Sequence, residues 1–187
     1  MPIPAINLND ENQVIYAEGG KSPAFFCNKY PVKVHKKLIT ELKMLSLDQG
    51  GKNIRLCMHE NPQAPFHDML ILAHKGKYYP PHKHETKGES FHIIEGLLAV
   101  FTFTETGEIM DACILEKEGN FIYKVGINMV HVVMPLSGTA VYHESRPGPF
   151  LGEKDSTIPS WTPDGNDLKA INQFQEKLMH ELANWSF

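Results

Sequence analysis

His82 and His84 stand two residues apart, a spacing that suits shared ligation of one ion. On an extended chain such residues project to the same side, so both imidazoles can reach a single point. Glu89 follows after a short turn containing Gly88, which lets the chain return beside the pair. From Glu89 onward, Phe91 and Ile93 share its side, as expected of a barrel interior, whereas His92 has the opposite parity and is expected to face away. Lys83, between the two histidines, is expected to point outward for the same reason. A fourth donor must come from elsewhere in the sheet. His131, in Met129-Val130-His131-Val132-Val133, is the natural choice, and a hydrogen-bonded core histidine is the competing reading. Three imidazoles and one carboxylate form a mixed nitrogen and oxygen set. Such a set suits a divalent first-row ion (Fe, Mn, Ni or Zn) and does not suit Ca or Mg.

Other residues suit supporting roles. His143 and Glu144, late in a strand, are candidates for moving a proton, since an imidazole titrates near neutrality. A structural histidine is the equal alternative at His143. The chain has only two arginines, Arg55 and Arg146. Their forked donors could hold the pyrophosphate of a nucleotide-sugar, or they could form surface or interdomain salt bridges. Tyr142 is expected to line a pocket or to pack. Cys27, Cys57 and Cys113 are widely spaced, contain no CxxC pair, and read as small buried hydrophobes in a reducing compartment.

These residues need a scaffold of short strands. Expected strands are Val14 to Tyr16, Ala24 to Cys27, Phe66 to Ala73, Ser90 to Ile94, Leu97 to Thr104, Ile109 to Leu115, Phe121 to Val125, Met129 to Met134 and Thr139 to His143. Glu105-Thr106-Gly107-Glu108 and Pro135-Leu136-Ser137-Gly138 read as hairpin turns, and Glu18-Gly19-Gly20 as a break. Strands at this spacing, with no helices between them, predict an antiparallel barrel or jelly roll. One amphipathic helix is expected from Val34 to Leu47. A second carries Leu168, Ile171, Phe174, Leu178, Leu182 and Trp185 at steps of three and four, with Asp164 or Asn166 as N-cap and Asp167 in its first turn. Three segments result: an N-terminal extension (1–51), a barrel (52–150), and a loop with a C-terminal helix (151–187). The net charge of −4 argues against a protein held to nucleic acid by phosphate contacts. No apolar run is long enough to span a bilayer. The opening MPIPAINLNDENQ lacks a basic region followed by an apolar stretch, so a cytoplasmic chain without signal peptide is expected.

Gly76, His82, His84, Glu89 and Gly96 match the first cupin motif at every fixed position. For the second motif, Gly119 and His131 stand where expected, but Val125 replaces the usual proline and Gly126 lies one residue too far from His131. The chain thus resembles the cupin superfamily. The runs Pro80 to His92 and Tyr142 to Phe150, with Arg55 to His59, are similar to WbuC-type cupin metalloproteins. The resemblance spans roughly residues 52–150. It implies a mainly β cupin fold (double-stranded β-helix or jelly roll) with His82, His84, Glu89 and His131 as metal ligands. It also implies a small-molecule, sugar-related substrate linked to surface polysaccharides, and a homodimer. The expected function is a metal-dependent isomerase, epimerase or dioxygenase, with His143 or Glu144 shuttling a proton and Arg55, Arg146 and Tyr142 holding substrate. The alternatives are a non-catalytic binding module and a metal-free sugar-nucleotide ketoisomerase.

Overall fold

Apolar runs, some of them alternating with polar residues, build the strands that dominate the regular structure of this chain, and helical periodicity marks two amphipathic helices. The computed structural model describes residues 5–18 and 22–185. Gly19 and Gly20 of the expected break lie outside them. The order is β1 (Val14–Ala17), β2 (Ala24–Cys27), α1 (Lys36–Asp48), β3 (Ile54–Cys57), β4 (Phe66–His74), β5 (Glu89–Glu95), β6 (Leu98–Phe103), β7 (Ile109–Leu115), β8 (Ile122–Val125), β9 (Val130–Pro135), β10 (Thr139–Pro147) and α2 (Leu168–Asn184).

The strands form two sheets, one ordered β1-β2-β3-β4-β10-β5-β8 and the other β7-β6-β9. All pairings are antiparallel except β2 with β3, which run parallel and are joined through α1. A parallel pair needs a crossover of a dozen or more residues, and the amphipathic helix supplies it. The N-terminal segment therefore extends the larger sheet and covers the free edge of β3. β3 was not among the expected strands, because four residues containing an arginine carry little periodic signal.

Strand parity divides the apolar residues into three layers. Between the sheets lie Met69, Ile71, Phe91, Ile93, Leu98, Val100, Leu115 and Tyr142. On the outside of the larger sheet, Leu38, Ile39 and Leu42 of α1 pack on Ile54, Leu56, Leu70, Leu72 and Val141. On the outside of the smaller sheet, Leu178 and Leu182 of α2 pack on Ala99, Phe101, Val130, Val132 and Met134. The two helices thus shield opposite outer faces and leave the inter-sheet space to the site. The cap of α2 is Asp167, whose side chain accepts from the Ala170 N–H at 3.0 Å, and not Asp164 or Asn166. The latter two bond each other ahead of the helix.

β10 extends four residues further than its sequence suggests, to Pro147, because all nine of its residues pair with β4. This extension places Glu144 and Arg146 within regular strand beside β5. Gly88 enters β5 where a Cβ would lie 2.8 Å from the Val125 carbonyl. A larger residue there would push β5 away from β8.

Candidate metal centre

His82, His84, Glu89 and His131 converge between the sheets, with one ligand atom of each lying within 4.8 Å of all the others. Glu89 opens β5 and His131 sits in β9, both pointing inward. His82 is brought alongside by backbone pairing, its N–H donating to the His131 carbonyl at 3.0 Å and the reverse bond measuring 2.9 Å. Glu89, His84 and His131 are almost fully buried, while His82 is half-buried and faces the cavity.

Each imidazole is held through Nδ1. His82 Nδ1 lies 3.0 Å from the Pro80 carbonyl, His131 Nδ1 lies 2.9 Å from the Met129 carbonyl, and His84 Nδ1 contacts the Asp155 carbonyl. A carbonyl can only accept, so Nδ1 carries the hydrogen in all three rings and Nε2 is the atom presented to the centre. Backbone anchoring of this kind orients metal-ligating histidines.

His84 Nε2 lies 2.9 Å from Glu89 Oε1 and His131 Nε2 lies 3.0 Å from Glu89 Oε2. Lone pairs at that separation from a carboxylate repel unless a cation or a proton lies between them. Burial would raise the Glu89 carboxyl, but hydrogen bonds from His131 and His84 and the charge of Arg146 outweigh it and hold the group well below the usual carboxylate range. Burial alone would depress His131, yet the hydrogen bond to Glu89 and its charge raise it above its ordinary value. The cluster attracts positive charge, and the donor set fits a borderline divalent ion.

A cavity of about 110 Å³ opens on the cluster, lined by His82, Glu89 and His131 together with Arg55, Tyr142, Glu144 and Arg146. Glu144 is pushed up to about 7, first by burial and then by the charge of Glu89, with Arg146 and Arg55 offsetting part of the effect. Tyr142 is fully buried and stays a protonated phenol, since burial lifts it well above its ordinary value. Arg146 Nη1 donates to Glu89 Oε1 at 2.9 Å and to Asp155 Oδ2 at 3.0 Å. Among the described residues, the ion pairs of Arg146 are all with buried or largely buried carboxylates.

His143 is not brought to the site. It alternates with Glu144 along β10, so its side chain leaves by the opposite face and bonds Asp68 at 3.0 Å. Of the two residues expected to move a proton, Glu144 alone lines the cavity. His92 is exposed and beside Phe121, and Lys83 pairs outward with Glu105 at 2.6 Å, both as parity requires. The residue that sequence reasoning missed is Asp155. It lies in a single 3-10 turn (Gly152–Asp155) within a stretch read as plain loop. Its carbonyl anchors His84, and its carboxylate pairs with Lys87 and Arg146. An acidic residue in a polar loop carries no sequence signal for such a task.

A family model described as a domain of unknown function (DUF6016) matches residues 34–115, less than half of the chain. No curated protein matches the sequence. Among solved structures, L-ribose isomerase of Cellulomonas parahominis with L-psicose is 16% identical, with 59% of this chain and 70% of that one covered at a TM-score of 0.47. Oxalate decarboxylase of Bacillus subtilis is 14% identical, with 57% and 27% covered and a TM-score of 0.45. Procruciferin, an 11S globulin of Brassica napus, is 8% identical, with 50% and 22% covered and a TM-score of 0.40. These remote likenesses say nothing of what this chain binds or does. From its own strand order and layers, the fold is mainly β, a jelly roll of the cupin type built from two facing sheets and two outer helices.

Proposed function

We propose that this protein is a metal-dependent enzyme acting on a small polar molecule, with His82, His84, Glu89 and His131 holding one divalent first-row ion. The observation that carries the reading is the set of three Nδ1 anchors, which leave three Nε2 atoms and a buried carboxylate directed at one point. An ion there would supply Lewis acidity toward a carbonyl or hydroxyl of the substrate.

The chain's own residues divide the remaining tasks. Glu144 borders the same cavity and titrates near neutrality, so its carboxyl can both accept and donate a proton. Arg146 keeps Glu89 ionised and is itself oriented by Asp155. Arg55 and Tyr142 line the same cavity and carry donors suited to a substrate. Glu144 is the observation that favours an enzyme over a non-catalytic binding module, since a storage site needs no group poised between acid and base. The runs behind the WbuC-type resemblance contain His82, His84 and Glu89 on one side and Tyr142, Glu144 and Arg146 on the other. That supports the same family of metalloproteins, for which a sugar of surface-polysaccharide metabolism is the implied substrate class.

Elemental analysis of the untagged protein tests the metal assignment. The expected result is about one equivalent of Fe, Mn, Ni or Zn, lost in the His82→Ala/His84→Ala double variant while the circular dichroism spectrum is kept. Stoichiometric metal in the folded double variant would refute the site, and a metal-free wild type would favour the ketoisomerase reading.

A further inference from the structure

A second cavity, of about 280 Å³, joins the first at Arg55, Met69 and Arg146, which line both. Its walls are apolar, formed largely by Phe26, Cys57, Met69 and Phe150. His59 and His67 complete it as a stacked pair, with ring centroids 4.3 Å apart and planes 1° from parallel. Burial and the neighbouring His67 hold His59 down at about 4, so this ring is uncharged at neutral pH. A cavity of roughly 150 Å³ suffices for benzene, so this one accepts a six-membered ring with a substituent.

The junction carries the only two arginines of the chain. The Nε atoms of Arg55 and Arg146 are both buried and have no hydrogen-bond partner among the described residues. The Arg146 side chain is only 10% exposed. Buried donors are nearly always paired. Arg146 Nε has only the Glu144 carboxylate, at 3.9 Å and beyond hydrogen-bond reach. Two under-satisfied Nε atoms on residues lining the same junction mark a place for an acceptor. Charge points the same way. Arg55, Arg146 and Lys87 balance Glu89, Glu144 and Asp155 around the site. A bound divalent ion then leaves an excess of two positive charges, and in this respect the inference rests on the metal reading.

We propose that the junction is a carboxylate subsite and that the substrate is an organic acid with a flat apolar body. The carboxylate lies between Arg55 and Arg146, and the ring occupies the cavity walled by Phe26, Met69, Phe150 and the histidine pair. The body is apolar because sugar hydroxyls would lie there against carbon. This keeps the metal centre of the proposed function but replaces the sugar that the WbuC-type resemblance implies with an organic acid.

Calorimetric titration of the as-purified protein with benzoate is the test, with benzamide, glucuronate and inorganic phosphate as comparison ligands. Benzoate is expected to bind, with benzamide and glucuronate weaker by about tenfold or more and phosphate unable to displace it. Arg55→Gln is expected to weaken benzoate by roughly ten- to a hundredfold. Ala17→Leu, at the cavity rim on the edge strand β1, is expected to weaken it while metal content is unchanged. Equal binding of benzamide, tighter binding of glucuronate, displacement by phosphate, or no benzoate binding would each overturn the proposal without recourse to a variant. Metal content of the same samples separates the two readings. Metal with no benzoate binding overturns this inference alone, and benzoate binding without metal removes only the metal assignment.

Discussion

At the scale of the residue, the centre depends on which atom of each side chain is committed elsewhere. Three histidines spend Nδ1 on backbone carbonyls, and Glu89 stays ionised inside the protein because His131, His84 and Arg146 surround it. Glu144 is the opposite case, a carboxyl whose burial beside Glu89 raises it to about 7 from an ordinary 4.5. Between these two values the folded state binds the extra proton and the unfolded state does not. The contribution of Glu144 to the stability of the metal-free protein therefore falls as pH rises through that window. Glu144→Gln removes the dependence. The variant is expected to be more stable than wild type by one to a few kcal/mol, as an order of magnitude, above pH ~7 in chelator, with no difference below pH ~4.5. Denaturant titrations at several pH values check this, and an unchanged pH profile would show that Glu144 is not the perturbed group. The same variant should keep its metal and lose turnover, which separates proton transfer from ligation. The pair His82 and His84 and the parity of Glu89 were legible in the sequence, because an i, i+2 spacing on a strand dictates a shared side. The Nδ1 anchors were not, since a backbone carbonyl has no residue type.

At the scale of the element, parity and register decide which neighbours a strand brings in. His143 and Glu144 were both expected proton carriers, yet adjacency in a strand means opposite faces, so only one of them can face the cavity. The inward assignment of Tyr142, Glu144 and Arg146 follows from pairing of β10 with both β4 and β5. The turn at Gly152–Asp155 acts across longer separations. Asp155 pairs with Lys87, and the two side chains are 3% and 5% exposed, respectively. Removing one partner of a buried pair strands the other charge. Asp155→Asn is expected to cost about 3–5 kcal/mol, lowering Tm by roughly 6–20 °C for a domain of this size. Because Arg146 also loses a charged partner beside Glu89, the variant should bind metal more weakly, although the Asp155 backbone carbonyl still anchors His84. Thermal unfolding with parallel metal analysis reads both effects. A loss below about 1 kcal/mol would show that the turn only decorates the site.

At the scale of the whole molecule, α1 and α2 pack on opposite outer faces and leave the interior of the sandwich to a polar centre. An ion held by these four converging donors, which come from three separate stretches of chain, would make metal binding and fold interdependent. A ligand that binds only the folded state raises Tm with its concentration. Chelation of the wild type is therefore expected to lower Tm by several degrees, with restoration on adding back the native ion. The His82→Ala/His84→Ala variant should show no response to either treatment. Differential scanning fluorimetry decides it, and equal Tm values for the loaded and chelated wild type would count against ligation at this centre. The outer helix contributes independently. Leu178, buried against the smaller sheet, is expected to cost about 2–5 kcal/mol when replaced by Ala, with metal content retained. Among the described residues, no helix is long and apolar enough to cross a membrane.

Local periodicity in the sequence was enough to mark most of the strands and the two amphipathic helices, and to put His82 and His84 on one side of the chain. These properties repeat every two or every 3.6 residues and so are written into neighbouring residue types. Tertiary structure alone decided that Glu144 rather than His143 faces the centre, and that Asp155 holds His84 from 71 positions away. It also decided that Arg55 and Arg146 meet where two cavities join. The reason is that such contacts depend on sheet register and on where a loop closes, and neither is set by any residue's immediate neighbours.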